Sequence, residues 1–269
     1  EEAPLAEWTS LEAAAKGSSA IIKGNNILWF GINFRANEAL ANLKVRQAIF
    51  YAINKQDINL AVSDGHGVPA VHYMPPEYVP TSPKDGFETY NYDPEKAKAL
   101  LVEAGYPDGV EVGTILSTTS SKNAKMAQVI QANLAEVGIK AQLSALDVTI
   151  AVEKWNAQDF DMCVYADSGN YDFNNIRQQV HSESVGMYVI KYEDSDFDWN
   201  RMEELIDLGV SVADVGKRVE YYTELWKLVM DSATILPCLH WPTALVWSPD
   251  LEIGTPVPTY YKIRTFYWK

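Results

Sequence analysis

Residues 110–146 read VEVGTILSTTSSKNAKMAQVIQANLAEVGIKAQLSAL. Val110, Val112, Thr114 and Leu116 alternate with their neighbours, which is the period of a strand. Ala127, Ile130, Leu134 and Val137 then recur at helical intervals, and Ile139, Ala141, Leu143 and Ala145 alternate again. Gly138 alone separates the helical run from the second strand. Strand, helix and strand at this spacing form a βαβ unit, whose crossover is right-handed and whose strands are parallel. The fold class this predicts is α/β, with a mixed, largely parallel sheet flanked by helices.

The pattern extends in both directions. Downstream, a helix is predicted over Thr149 to Ala157 and a strand over Phe160, Met162 and Val164. Upstream, Leu28, Phe30 and Ile32 alternate as a half-buried strand. Asn42 then caps a helix whose stripe is Val45, Ala48, Ile49, Ala52 and Ile53. A second short helix is expected from Gln56 to Val62. Residues 68–92 contain Pro69, Pro75, Pro76, Pro80 and Pro83 and must be an irregular excursion. Asp93-Pro94-Glu95 reads as N-cap, first-turn proline and first-turn acid, and Gly105 stops that helix. Later helices fall at Trp199 to Leu208 and Val215 to Asp231, followed by a returning strand from Ile235 to Leu239. From His240 onward, prolines alternate with aromatics from Trp241 to Trp268, so this tail is expected to pack on something outside the main sheet.

Composition narrows the function. The 269 residues are 47% hydrophobic, enough for a sizeable core, and the net charge of -14 repels phosphate backbones and anionic membrane surfaces alike. Nucleic acid is therefore excluded as a partner class. Cys163 and Cys238 lack CxxC pairing and are expected to be two buried thiols. His66, His72, His181 and His240 lack metal-ligand spacing and read as surface or loop histidines. Asp194, Asp196 and Asp198 mimic the start of a calcium loop, but Trp199 stands where its glycine is needed and Leu205 where its bidentate acid is needed. No metal and no cofactor is expected. Nucleophile-elbow, P-loop and dinucleotide glycine motifs are absent, so the usual nucleophile and phosphate-cradle signatures are missing. A hydrolase acting on an oligosaccharide or peptide in an aromatic-lined groove stays as the alternative, because 36 acidic residues leave carboxylate pairs open.

One segment stands apart. Tyr165-Ala166-Asp167-Ser168-Gly169-Asn170-Tyr171 follows a central strand, where α/β sheets place their ligands. Asp167 offers acceptor oxygens for an ammonium group, Tyr165 and Tyr171 flat faces, and Ser168 and Asn170 orienting hydrogen bonds. A turn of this composition also arises without a ligand. The strand-end position decides for binding.

Four blocks carry a resemblance. Leu43 to Lys55 contains Arg46-Gln47-Ala48 and Ala52-Ile53, Gly65-x-Gly67-x-Pro69-Ala70 follows, Tyr92 to Tyr106 includes Lys96-Ala97 and Ala104-Gly105-Tyr106, and Ile130-Gln131 leads to Val137-Gly138-Ile139. In this order they resemble the family-five extracellular solute-binding proteins of ABC importers, the oligopeptide and dipeptide type, and specifically their C-terminal lobe. The resemblance implies a periplasmic-binding-protein-like type II lobe over 1–240. It implies a tail, 241–269, returning toward an N-terminal lobe of the same protein that is absent from this chain. It also implies a peptide or similar small solute, ABC importer membrane subunits as partners, and a periplasmic or lipid-anchored extracytoplasmic location. The opening Glu1-Glu2-Ala3-Pro4, without an initiator Met, reads as an excised piece of a longer precursor. Asp167 matches the family's acidic residue that neutralises a peptide's α-ammonium. Asp161 stands where some oligopeptide binders have a basic residue for the carboxylate, a departure from that register.

Overall fold

The computed structural model describes residues 5, 8–16, 18–24, 26–167, 172–184, 197–253 and 267–268. In chain order these form α1 (Trp8–Ala15), β1 (Ser19–Ile22), β2 (Ile27–Ile32), α2 (Glu38–Ala41), α3 (Leu43–Ala52), α4 (Lys55–Ser63) and β3 (Val68–Pro69). Next come α5 (Pro94–Glu103), β4 (Val110–Thr118), α6 (Ser121–Glu136), β5 (Ile139–Leu146), α7 (Val148–Ala157), β6 (Met162–Asp167), a 3-10 turn (Phe173–Ile176) and α8 (Arg177–Val180). The chain finishes with α9 (Trp199–Ser211), α10 (Val215–Ser232), β7 (Ile235–His240), β8 (Thr243–Val246), β9 (Leu251–Glu252) and β10 (Tyr267–Trp268).

The main sheet has the order β3-β7-β2-β6-β4-β5. The βαβ unit is present: β4 and β5 run parallel from Val110–Ile139 to Thr118–Leu146, and β6 runs parallel to β4. β2 is antiparallel to both β6 and β7, and β3 is antiparallel to β7, so the sheet is mixed, with β4, β5, β6 and β7 sharing one direction. The β4–β5 register shifts between Glu111 and Thr114, where Gly113 adopts φ +87°. A Cβ there would overlap the Asp161 carboxylate, whose Oδ2 accepts from Thr114 N at 2.9 Å. Only glycine fits this bulge.

The helix starts follow local chemistry. Asn42 Oδ1 accepts from Lys44 N and Asp93 Oδ1 from Lys96 N, as the sequence predicts. Asp198, the described member of the acidic triplet, caps α9 through Arg201 N at 3.0 Å; Asp194 and Asp196 lie outside the described residues. Two expectations need correction. β2 is buried along its whole length because it is central: Phe30 meets Phe50 of α3 on one face, and Trp29 meets Tyr165 on the other. His240 is neither a surface nor a loop residue, because β7 extends through it, whereas His181 is a buried residue of the loop after α8.

Cys163 and Cys238 are buried, unbridged thiols; burial raises both, Cys238 to about 12. Outside the main sheet, β8 pairs antiparallel with β1, from Ser19–Val246 to Ile22–Thr243, and β9 pairs with β10. Among the described residues no helix is long and apolar enough to cross a membrane.

Candidate functional site

The carboxyl ends of β6 and β7 bring the candidate groups together. Ile27 of β2 pairs with Asp167 on one side and with His240 on the other, so Asp167 and His240 flank one residue where these central strands end. Side chains two apart on a strand share a face, which puts Tyr165 beside Asp167. Tyr165 lies against Trp29 (ring centroids 5.5 Å apart) and Trp155 of α7 (4.8 Å), forming an aromatic wall. The β4–β6 ladder ends at Leu116–Cys163, whereas β2 stays paired to β6 as far as Asp167. Nearby, Lys122 in the first turn of α6 places its ammonium 4.6 Å from the Trp241 ring centroid.

Asp167 is held by residues that no sequence pattern announced. Its Oδ2 accepts from Tyr73 Oη at 3.3 Å and from Asn175 Nδ2 at 3.1 Å. Tyr73 comes from the proline-rich excursion and Asn175 from the 3-10 turn. Of the residues expected to line the site, Tyr165 and Asp167 are brought together, while Ser168, Asn170 and Tyr171 lie outside the described residues. His240 had a usable signal, since it too ends a strand of the sheet. Asp161 sits at the opposite end of β6 from Asp167, roughly 20 Å away at the usual rise per strand residue. Its carboxylate is occupied by Thr114 N and Asn37 Nδ2.

Two concavities of about 450 Å³ border this architecture. One lies beside Asp161, where Lys154 pairs with Asp159. The other, lined by Asn175, Arg177 and Arg218, adjoins the segment that supports Asp167; Arg218 donates to Asp172 at 2.7 Å and to Gly209 O at 2.7 Å.

His240 carries a pH dependence. Its ring nitrogens face Asn26 O at 3.2 Å and His72 O at 3.0 Å, which favours protonation, but burial outweighs them and pushes the imidazole down to about 4. The unfolded chain, with an imidazole near ~6.5, therefore binds a proton that the folded chain refuses between about pH 6.5 and 4. This contribution to stability is fully present above that window and falls by about 3 kcal/mol as the pH drops through it. Urea midpoints at pH 7 and pH 4.5 should fall further for the parent than for His240→Gln; equal falls would refute the assignment.

A family model described as bacterial extracellular solute-binding proteins, family 5 Middle, matches residues 1–179. The chain belongs to this family. It is 31% identical over 222 residues to the dipeptide-binding protein of Escherichia coli (strain K12), covering 81% of this chain and 41% of that protein. It is 28% identical over 225 residues to heme-binding protein A of Haemophilus influenzae, covering 81% of this chain and 40% of the relative. The chain thus spans about two fifths of the length of these curated relatives. Its fold matches the substrate-binding protein CtaP of Listeria monocytogenes with a TM-score of 0.84 at 21% identity, over 99% of this chain and 55% of that one. It also matches the periplasmic binding protein DppA of Helicobacter pylori, solved with the peptide STSA, with a TM-score of 0.80 at 22% identity, over 98% of this chain and 51% of that one. The type II binding-protein fold expected of the family is therefore the fold of this chain.

Proposed function

We propose that this family member forms one lobe of an ABC importer's substrate-binding protein and captures peptides or similar small solutes without turning them over. The observation that carries this reading is Asp167: a carboxylate at the end of a central strand, beside the aromatic wall of Tyr165, Trp29 and Trp155. An acceptor-only group in such a setting suits a ligand's ammonium end, since partial exclusion of water strengthens a charge-assisted bond. Tyr165 contributes wall area, and Ser168, Asn170 and Tyr171, which follow Asp167 in the sequence, are assigned to the same ligand contact. Relatives named for dipeptides and for heme fit a family in which the fold persists while the solute changes.

The lobe spans residues 1–240 in this reading, and 241–269 lead toward the second lobe. Support comes from β8, which follows residue 240 and pairs outside the main sheet with β1, close to the start of the lobe. The membrane subunits of the importer are the partners, and the setting is extracytoplasmic, either periplasmic or lipid-anchored on the outer face of the cytoplasmic membrane. Mass spectrometry of small molecules released on denaturing the natively purified two-lobed protein tests the proposal. A peptide or other solute with a free amine is expected. Saturable cleavage of a peptide or glycan, lost on removal of one carboxylate, would contradict it.

A further inference from the structure

We infer that Val148 is a specificity-determining residue that receives an aliphatic group of the bound solute, an inference that rests on the reading of this end of the sheet as the ligand face. Val148, Ala151, Val152 and Trp155 fall at i, i+3, i+4 and i+7 of α7 and form one face of that helix. Ala151 and Trp155 are buried on it, and Val152 is half-buried against the core. Val148 belongs to the same face, yet it is 57% exposed. Val102 of α5 is as open, at 58%, for the ordinary reason: it follows the buried Leu101 by one residue, about 100° around the helix, and so lies on the solvent side.

What leaves Val148 uncovered is its height above the sheet. The helix follows β5 and leads into β6, so it runs against these parallel strands and begins at their carboxyl ends. Trp155 meets Tyr165 of β6 with ring centroids 4.8 Å apart, which fixes the helix against the strand. Val148 lies two turns before Trp155, about 10 Å toward the carboxyl ends. A strand needs about three residues to rise as far, so Val148 overhangs the sheet close to the level at which β6 ends with Asp167.

The chemistry of this rim is apolar. Leu146, the last residue of β5, packs against the core just before Val148, and Tyr165 continues the surface toward Trp29. Asp147, the charged neighbour, caps α7 by accepting from Thr149 N at 2.9 Å. The branched methyls of Val148 offer no donor or acceptor, so they favour an aliphatic side chain over a charged one. A contact with the second lobe would be the same for every solute, whereas a ligand contact discriminates by side chain.

Two measurements test this. In the 269-residue chain, titration with N-acetyl-leucinamide should shift the methyl resonances of Val148 at least about threefold more than those of Val102, whose exposure is the same. Equal shifts would overturn the inference without reference to transport. In the two-lobed protein the probes are Gly-Gly, Gly-Leu and Leu-Gly. Val148→Thr keeps the shape and puts a hydroxyl in place of a methyl at an exposed position. It should weaken binding of at least one leucine dipeptide about three- to tenfold and leave Gly-Gly unchanged. A uniform fall for all three would place Val148 against the second lobe, and no change for any would also overturn the inference. If the parent binds none of the three, peptides fail as the solute class, and the methyl titration alone decides for or against Val148.

Discussion

Replacing Arg46 with Met should cost about 3 to 5 kcal/mol of folding stability, the largest effect expected of any single substitution in this chain. Arg46 is almost completely buried. Its guanidinium donates to Leu40 O and Ala41 O at 2.8 Å each and to Ser232 O at 3.1 Å. Those carbonyls lie at the ends of α2 and α10, where the last turns leave acceptors unpaired and the helix dipoles place partial negative charge. The cation is balanced there by backbone, and it also lies over Phe34 and Phe197, 5.3 and 5.6 Å from their ring centroids. Burial lowers its pKa to about 10, so it is charged at neutral pH. Methionine keeps the apolar contacts but strands the three acceptors, each costing about 1 to 3 kcal/mol when desolvated. Arg46→Lys should recover only part of the loss, because an ammonium cannot reproduce the planar fork. Urea denaturation of the three proteins checks this, together with a thermal midpoint lowered by roughly 10 °C in the Met variant. A loss below about 1 kcal/mol would show that water replaces the fork.

Arg46 also marks where sequence reading stops. The stripe of Val45, Ala48, Ile49 and Ala52 is legible because helical periodicity is local, yet Arg46 sits beside it like any charged residue on a solvated face. Its burial depends on Ser232, a contact 186 positions away. The βαβ unit was readable because the period changes twice within residues 110–146 and a glycine marks the last junction. Asn42 and Asp93 were readable because a capping bond spans two or three residues. Asp167 and Tyr165 were placed at a strand end by the periodicity of β6 alone. Tyr73 was not, since a proline-rich excursion has no period to say which side chains turn inward. His240 was misread for a related reason. Trp241 and Pro242 follow it and suggest a loop, whereas pairing with Ile27 and Val68 carries the strand through it.

Asp167→Asn in the two-lobed protein should cost about 2 to 5 kcal/mol of affinity for a ligand with a free amine. The change preserves shape and leaves an amide oxygen that still accepts from Tyr73 and Asn175, so the fold should be little affected. The loss is electrostatic: an ammonium stripped of part of its water finds a dipole in place of a charge. Ligands with that amine acetylated should show a much smaller difference between parent and variant. Titration calorimetry on both ligand forms separates the outcomes, and unchanged affinity for the free amine would reduce Asp167 to a turn former.

Ligand sites commonly enclose roughly 70 to 90% of the ligand surface, and a lobe that supplies one wall leaves much of that surface in water. The most direct measurement is calorimetry with one solute on the 269-residue chain and on the two-lobed protein. The chain alone should fold, having its own core, and should bind at least about a hundredfold more weakly, corresponding to about 2.7 kcal/mol or more. Equal affinity in the two would show that the site is complete within these residues and would contradict the assignment of this chain as one wall of a two-lobed binder.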